Sequence, residues 1–392
     1  MSVPYTYSET FARLAAKLGF AEDPIKAVVH FRDPSRLSNW TLPAVEGVMI
    51  GGAGLALAHA VERWRRHDDP TALTVWVGSV AYLLVTEPPL YFPKTFHLPE
   101  SVSDVFVHNV FSVQLMYEHL PLYIVALYPA VASLAYEIAR SLGAFESSDL
   151  AGAACVGFVH HAFYEIFDHL GPQLKWWAWD PDADSNQLSV ASVPLSSASL
   201  FATVSPAALA LLTRLLVGRK AGRGERVGGW ELAGRSLGAG ALVPVALAVS
   251  GAATSAAGRD RPAAGAAAMS SFIGLSGAVA VPVMVRGWLR RRAGQPSDDS
   301  GSPWFAVGYG GLYLAAFGLL WGKALPAHAA ATDGVTADGT PTGSLKYTLA
   351  CTGLAAAAVA AVATTGGRTR LRGALGTALA KLRTGTRPGA AG

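Results

Sequence analysis

Between Phe158 and Asp180 the chain places His160, His161, Glu165, Asp168 and His169 inside or at the end of a stretch otherwise apolar enough to cross a bilayer. An ionisable side chain in hydrocarbon costs roughly 2.5 to 3.5 kcal/mol on insertion scales, so such groups face a protein-lined cavity and mark function. At 100° per residue His161, Glu165 and Asp168 share one helix face, with His169 at its edge and His160 well round. Two chemistries suit this stripe. Histidine and carboxylate at i, i+4 point together as zinc or iron ligands must, which gives His161, Glu165, His169 and His119 as the candidate metal set, although neither a His-Glu-x-x-His motif nor repeated His boxes occur. Alternatively, a carboxylic acid in an apolar cavity holds its proton more tightly and can protonate an alkene or epoxide, or relay protons with histidine, with no cofactor at all.

Depth along the neighbouring helices supplies partners. With about 1.5 Å of rise per residue, His160 and His161 lie near the midplane, Glu165 about three quarters of the way out, and Asp168 and His169 at the boundary. Glu46, Glu87, Glu118 and His119 fall in the same zone on three other spans. The expected catalytic set is therefore Glu165, His161, Glu118, Glu87, Glu46 and Asp168. Taken singly, each has a plainer role as a snorkelling carboxylate or a satisfied buried hydrogen bond. A shared depth across four spans points instead to one polar cavity. Segment 105–119, with His108, Asn109, Gln114 and Tyr117, is too polar for a lipid-facing span and reads as a re-entrant or interfacial helix closing that cavity. The following loop carries Trp176, Trp177 and Trp179, which suit either an aromatic belt or a lid whose π faces stabilise a cation. Asp180, Asp182 and Asp184 alternate beyond it as a solvated turn, or less simply as ligands of a hard cation.

The elements that must position these groups follow from composition. The 392 residues are 51% hydrophobic and 15% charged, against about 25% charged in soluble domains. Nine apolar stretches (42–62, 72–92, 120–140, 150–170, 191–217, 232–255, 264–285, 304–325 and 345–365) each match the length that a hydrocarbon core of about 30 Å demands. Cys155 and Cys351 fall inside spans and read as small apolar packers. No removable signal peptide precedes the first span, which serves as its own insertion signal. Twenty Lys and Arg lie in one set of alternate loops and tail, six in the opposite set. The positive-inside rule then places the C-terminus in the cytoplasm and the N-terminus outside, against five basic residues before residue 40. The same placement explains the net charge of +4 without nucleic acid. The expected fold is an all-α, nine-helix, multi-pass bundle of a plasma membrane.

Four regions are expected: an interfacial segment 1–40 with an amphipathic helix over 8–19, a site-bearing half 41–190, an Ala- and Gly-rich scaffold 191–365, and a basic, flexible tail 366–392. Nine of the ten histidines precede residue 170. Loops 214–230 and 290–303 are basic and Gly-rich, so they read as mobile. The mix of acids and aromatics over about 130 residues is similar in residue type to that of membrane isoprenoid cyclases, hydratases and sterol isomerases, without an alignable motif. It implies an enzyme acting on a hydrophobic small molecule, a lipid or isoprenoid. A proton-coupled permease and a non-catalytic membrane accessory protein are the competing classes.

Overall fold

The computed structural model describes residues 7–20, 27–97, 104–258, 261–295 and 303–383. Among them, nine helices are long and apolar enough to cross a membrane. A short amphipathic α1 (Glu9–Leu18) precedes α2 (Thr41–His67), α3 (Thr71–Tyr91), α4 (Leu122–Ser141) and α5 (Asp149–Asp168). The second half supplies α6 (Ser197–Gly222), α7 (Gly229–Gly258), α8 (Pro262–Arg292), α9 (Trp304–Ala329) and α10 (Leu345–Arg383). The last helix thus runs on past the span into the segment expected to be a flexible tail. Residues 384–392 lie outside the described set, as do 296–302 of the expected mobile loop.

The most buried spans are α4 and α5, whose apolar windows are 83% and 72% buried, against 6% for α8. Burial and ionisable content coincide: the helix richest in histidine and carboxylate is one of the two that other helices surround. α8 presents Leu275, Val281, Val285 and Leu289 outward, as a lipid-facing helix must.

Segment 105–119 is not a helix. It forms β2 (Phe106–His108) and β3 (Val113–Leu115), because its apolar residues include β-branched valines spaced two apart, the period of a strand. β3 pairs with both β1 (Val29–Phe31) and β4 (Leu120–Pro121), while β2 pairs antiparallel with β5 (Trp177–Trp179) in register His108 to Trp177. The fifth span also starts later than residue 191, since β6 (Ser189–Val190) and β7 (Val193–Pro194) form a hairpin before it. α1 lies across the β2–β5 pair, burying Phe11, Leu14, Ala15 and Leu18 against Val107 and Ala178. Arg13 ties it down through Asp180 at 2.7 Å and Asp182 at 2.9 Å. Those two members of the acidic turn are ion-pair partners.

Between the two halves, α3 and α7 approach closely at glycine. A Cβ built on Gly240 meets the carbonyl oxygen of Gly78 at 2.2 Å and the amide nitrogen of Tyr82 at 2.9 Å. Backbone atoms cannot swing aside as a side chain does. Gly240→Leu is expected to destabilise the protein by about 1–3 kcal/mol through overpacking, read as a lowered melting temperature in detergent, whereas Gly238→Leu, where a Cβ meets open space, should leave it unchanged.

Candidate functional site

α5 is polar on two sides, and each side meets a different neighbour. On the helix wheel the order round the face is Tyr164, Asp168, His161, Glu165, His169, spanning about 140°. Such a stripe is too wide for one cavity.

Tyr164 and Asp168 line a cavity of about 360 Å³ under the β2–β5 pair. Glu87, Leu90, Ile124, Leu127, Tyr128, Leu200 and Phe201 complete its walls, with Phe106, His108, Trp177 and Trp179 from the strands. Glu87 accepts from the hydroxyls of Tyr91 at 2.6 Å and Tyr128 at 2.7 Å, one on each carboxylate oxygen. Asp168 accepts from the Ser197 hydroxyl at 2.7 Å through Oδ2, whereas its Oδ1 is buried with no protein partner. The exposed Asp184 and Ser185 mark the mouth. Among the described residues, no Lys or Arg lines it.

His161, Glu165 and His169 face α10 and the segment before it. His161 donates from Nδ1 to the Ala198 carbonyl at 3.0 Å, and its Nε2 accepts from the Tyr347 hydroxyl at 2.7 Å. The Ser344 amide donates to Nδ1 of His169 at 3.1 Å. The proton of a neutral His169 therefore sits on Nε2, 3.4 Å from Oε2 of the fully buried Glu165. Gly343 permits this approach, because a Cβ there would lie 2.1 Å from the His169 carbonyl oxygen.

The α6 turn that receives these histidines is itself set by sequence. Ser197–Val204 is wound as a π-helix, and Pro206, four residues after Ala202, has no N–H to give the Ala202 carbonyl. Nδ1 of His160 satisfies that carbonyl at 2.8 Å. His160 is thus a helix-to-helix fastener.

The remaining expected site residues lie elsewhere. Glu46 accepts from the backbone amide of Ser112 at 3.0 Å and its hydroxyl at 2.5 Å, pinning the β2–β3 connection to α2. Glu118 pairs with Arg32 and lies 3.4 Å from His30. It sits on a turn where Met116, Tyr117 and Glu118 are all left-handed. His119 packs among Phe11, Tyr91 and Phe92, with Asp104 at 3.6 Å. His119 is accordingly apart from the other three members of the metal set. In that set His161 has both ring nitrogens hydrogen-bonded and Nδ1 of His169 accepts from an amide N–H, while Nε2 of His169 and both Glu165 oxygens make no hydrogen bond. Among the described residues no group of three or more His, Cys, Asp or Glu side chains is placed to hold a metal ion.

Sequence reading passed over Tyr128, Tyr164 and Ser197 at the cavity and Tyr347 at the second cluster. Only Tyr164 carried a local signal, being one turn before Asp168. It also missed a buried cluster at the opposite end of the bundle, where Glu137 pairs with Arg140 and lies 2.9 Å from Nε2 of His59.

His108 roofs the cavity, its Nδ1 3.4 Å from the Tyr123 hydroxyl. Burial, with a smaller contribution from neighbouring His119, pushes its pKa down from 6.5 to about 3. Between those values the unfolded chain binds a proton that the folded chain refuses. Stability from His108 is complete above about pH 6.5 and declines as pH falls toward about 3. The melting temperature should therefore drop between pH 7 and pH 5, and drop less in His108→Gln, followed by tryptophan fluorescence.

No family model, curated protein or solved structure matches this chain, so its activity has to be argued from the geometry above.

Proposed function

We propose that this multi-pass membrane protein is an enzyme that acts on an uncharged lipid- or isoprenoid-class substrate by general acid and base chemistry at Asp168 and Glu87. One observation carries the reading: two buried carboxylates from different helices, Glu87 and Asp168, line a single cavity whose walls are mostly apolar and aromatic, with His108, Asn186 and Ser197 among them and Asp184 and Ser185 at the mouth. Isolated snorkelling carboxylates have no reason to line one mostly apolar cavity.

The hydrogen bonds divide the roles. Glu87 takes a phenolic O–H on each oxygen and so is held as a proton acceptor. Asp168 has one oxygen on Ser197 and one unpartnered, and it is the group that delivers a proton. Asp168 transfers its proton to one carbon of a substrate double bond, leaving positive charge on the other. Tyr164, Trp177 and Phe106 line the cavity, where an aromatic ring facing the cation stabilises it. Glu87 then removes a proton from an adjacent carbon, re-forming a double bond in a new position. The absence of Lys and Arg from the lining leaves a phosphate group without a counter-charge, which favours a substrate with no anionic head.

The charge asymmetry of the loops supports a bundle whose arginine-rich end is cytoplasmic and whose cavity sits in the outer half of a plasma membrane. His161, Glu165 and His169 act from behind as positioning residues for the end of α5, and Glu46, Glu118 and His119 hold the strand lid and its flanks.

The test is lipid extraction from cells expressing the wild type, Asp168→Asn or Glu87→Gln, with product resolved by mass spectrometry. Each variant is expected to lower turnover by about 10²- to 10⁴-fold, the usual contribution of a general acid or base, while folding normally in detergent. An unchanged lipid profile in both folded variants overturns the enzymatic reading. Unchanged lipids together with loss of a proton-driven flux in proteoliposomes would replace it with transport.

A further inference from the structure

A second cavity lies on the lipid-facing side of the bundle, away from the carboxylates. It is a groove of about 400 Å³ between α5, α8 and α10, lined by Phe158, Val159 and Ala162, by Val281, Met284, Val285 and Trp288, and by small residues of α10 from Leu354 to Thr364. It shares no residue with the acidic cavity and has no ionisable lining. Val281, Val285 and Leu354 at its edges are exposed, so in a bilayer it opens to lipid.

Length and charge identify what fills it. The stretch of α10 from Leu354 to Thr364 rises about 15 Å, which is one leaflet of a hydrocarbon core about 30 Å thick. At the end marked by Trp288 and Thr364, the indole N–H of Trp288 donates to the Thr364 hydroxyl at 3.0 Å and joins the two walls. One turn further along the same face of α8 comes Arg292, its guanidinium 4.9 Å over the Trp288 ring. Arg290 and Arg291 precede it, held by Glu146 at 3.4 Å and 3.3 Å. An apolar slot of single-leaflet length that ends at an interfacial tryptophan and an arginine cluster has the form of a phospholipid seat.

We propose that this groove binds one acyl chain of an anionic phospholipid of the surrounding membrane, with the headgroup against Arg292. The seat is independent of the chemistry at Asp168 and Glu87. Occupied, it replaces missing protein contacts between α5, α8 and α10 with a lipid chain, and it makes the leaflet at the arginine-rich end part of the fold.

The full-length protein, purified in neutral detergent, is titrated with phosphatidylglycerol or phosphatidylcholine of equal chain length, and bound lipid is counted by native mass spectrometry. The wild type should retain phosphatidylglycerol about tenfold better, as one or two surface arginines provide. Arg292→Gln should remove most of that preference and leave phosphatidylcholine binding as it was. Ala357→Phe with Ala361→Phe, on the exposed and half-buried lining of α10, should lower retention of both lipids about tenfold by filling the space. Equal retention of the two lipids by the wild type overturns the proposal, as does full phosphatidylglycerol retention in the folded double variant. If the double variant does not fold, the Arg292→Gln comparison decides alone, since that side chain is exposed: an unchanged headgroup preference rejects the seat.

Discussion

A polar group carried into hydrocarbon must find its hydrogen-bond partner within the protein, and that demand shapes the first half of this bundle. Three buried carboxylates accept a hydrogen bond from another part of the chain, Glu46 from Ser112, Glu87 from Tyr128 and Asp168 from Ser197, whereas Glu165 has only His161 and His169 of its own helix nearby, at 3.9 Å and 3.4 Å, and no hydrogen bond to either oxygen. Such bonds fix which helix lies beside which and at what rotation, a selection that apolar side chains, as happy against lipid as against protein, cannot make. The polar residues thus do two jobs. Where the partner set is complete, as at Glu46, the group fastens. Where one oxygen is left over beside a cavity, as at Asp168, it is the group to which the proposed function assigns a proton transfer.

The π-wound start of α6 follows from the same demand. A regular helix containing Pro206 would leave the Ala202 carbonyl bare in the membrane, which costs several kcal/mol. His160 covers it, His161 covers Ala198, and α5 and α6 are thereby locked in register with Ser197 facing Asp168. A proline that looks like a local disturbance therefore sets the position of a hydroxyl on the reactive carboxylate.

Span number was legible in the sequence because it depends only on the length and polarity of each stretch. Glu87 and Asp168 line one cavity. Rotation between helices was not legible. The stripe on α5 was read correctly as one face, yet nothing in a single sequence tells that its 60° between Asp168 and Glu165 straddles a boundary between α6 and α10. Glu118 and His119 illustrate a different loss. Residues before Leu122 continue the apolar pattern of α4 but turn into strand, so a helical count from Arg140 gave them depth while placing them on the wrong kind of element. β2 and β5 escaped notice because strands of three residues carry too few alternations to declare a period, and their partners are 70 residues apart.

Charge separates the two apolar spaces as firmly as distance does. Among the described residues, the cavity at Asp168 is lined by Glu87, Asp168 and Asp184 and by no Lys or Arg; the lining of the groove between α5, α8 and α10 holds no acid, and the groove finishes at arginines. On the proposed function, an anionic phospholipid would be repelled from the first and attracted to the second, which would keep the bulk lipid of the bilayer from competing with the substrate for the carboxylates. On that reading the sorting needs no selective gate, and would follow from placing basic residues at one end of the bundle and the proton-handling carboxylates toward the other.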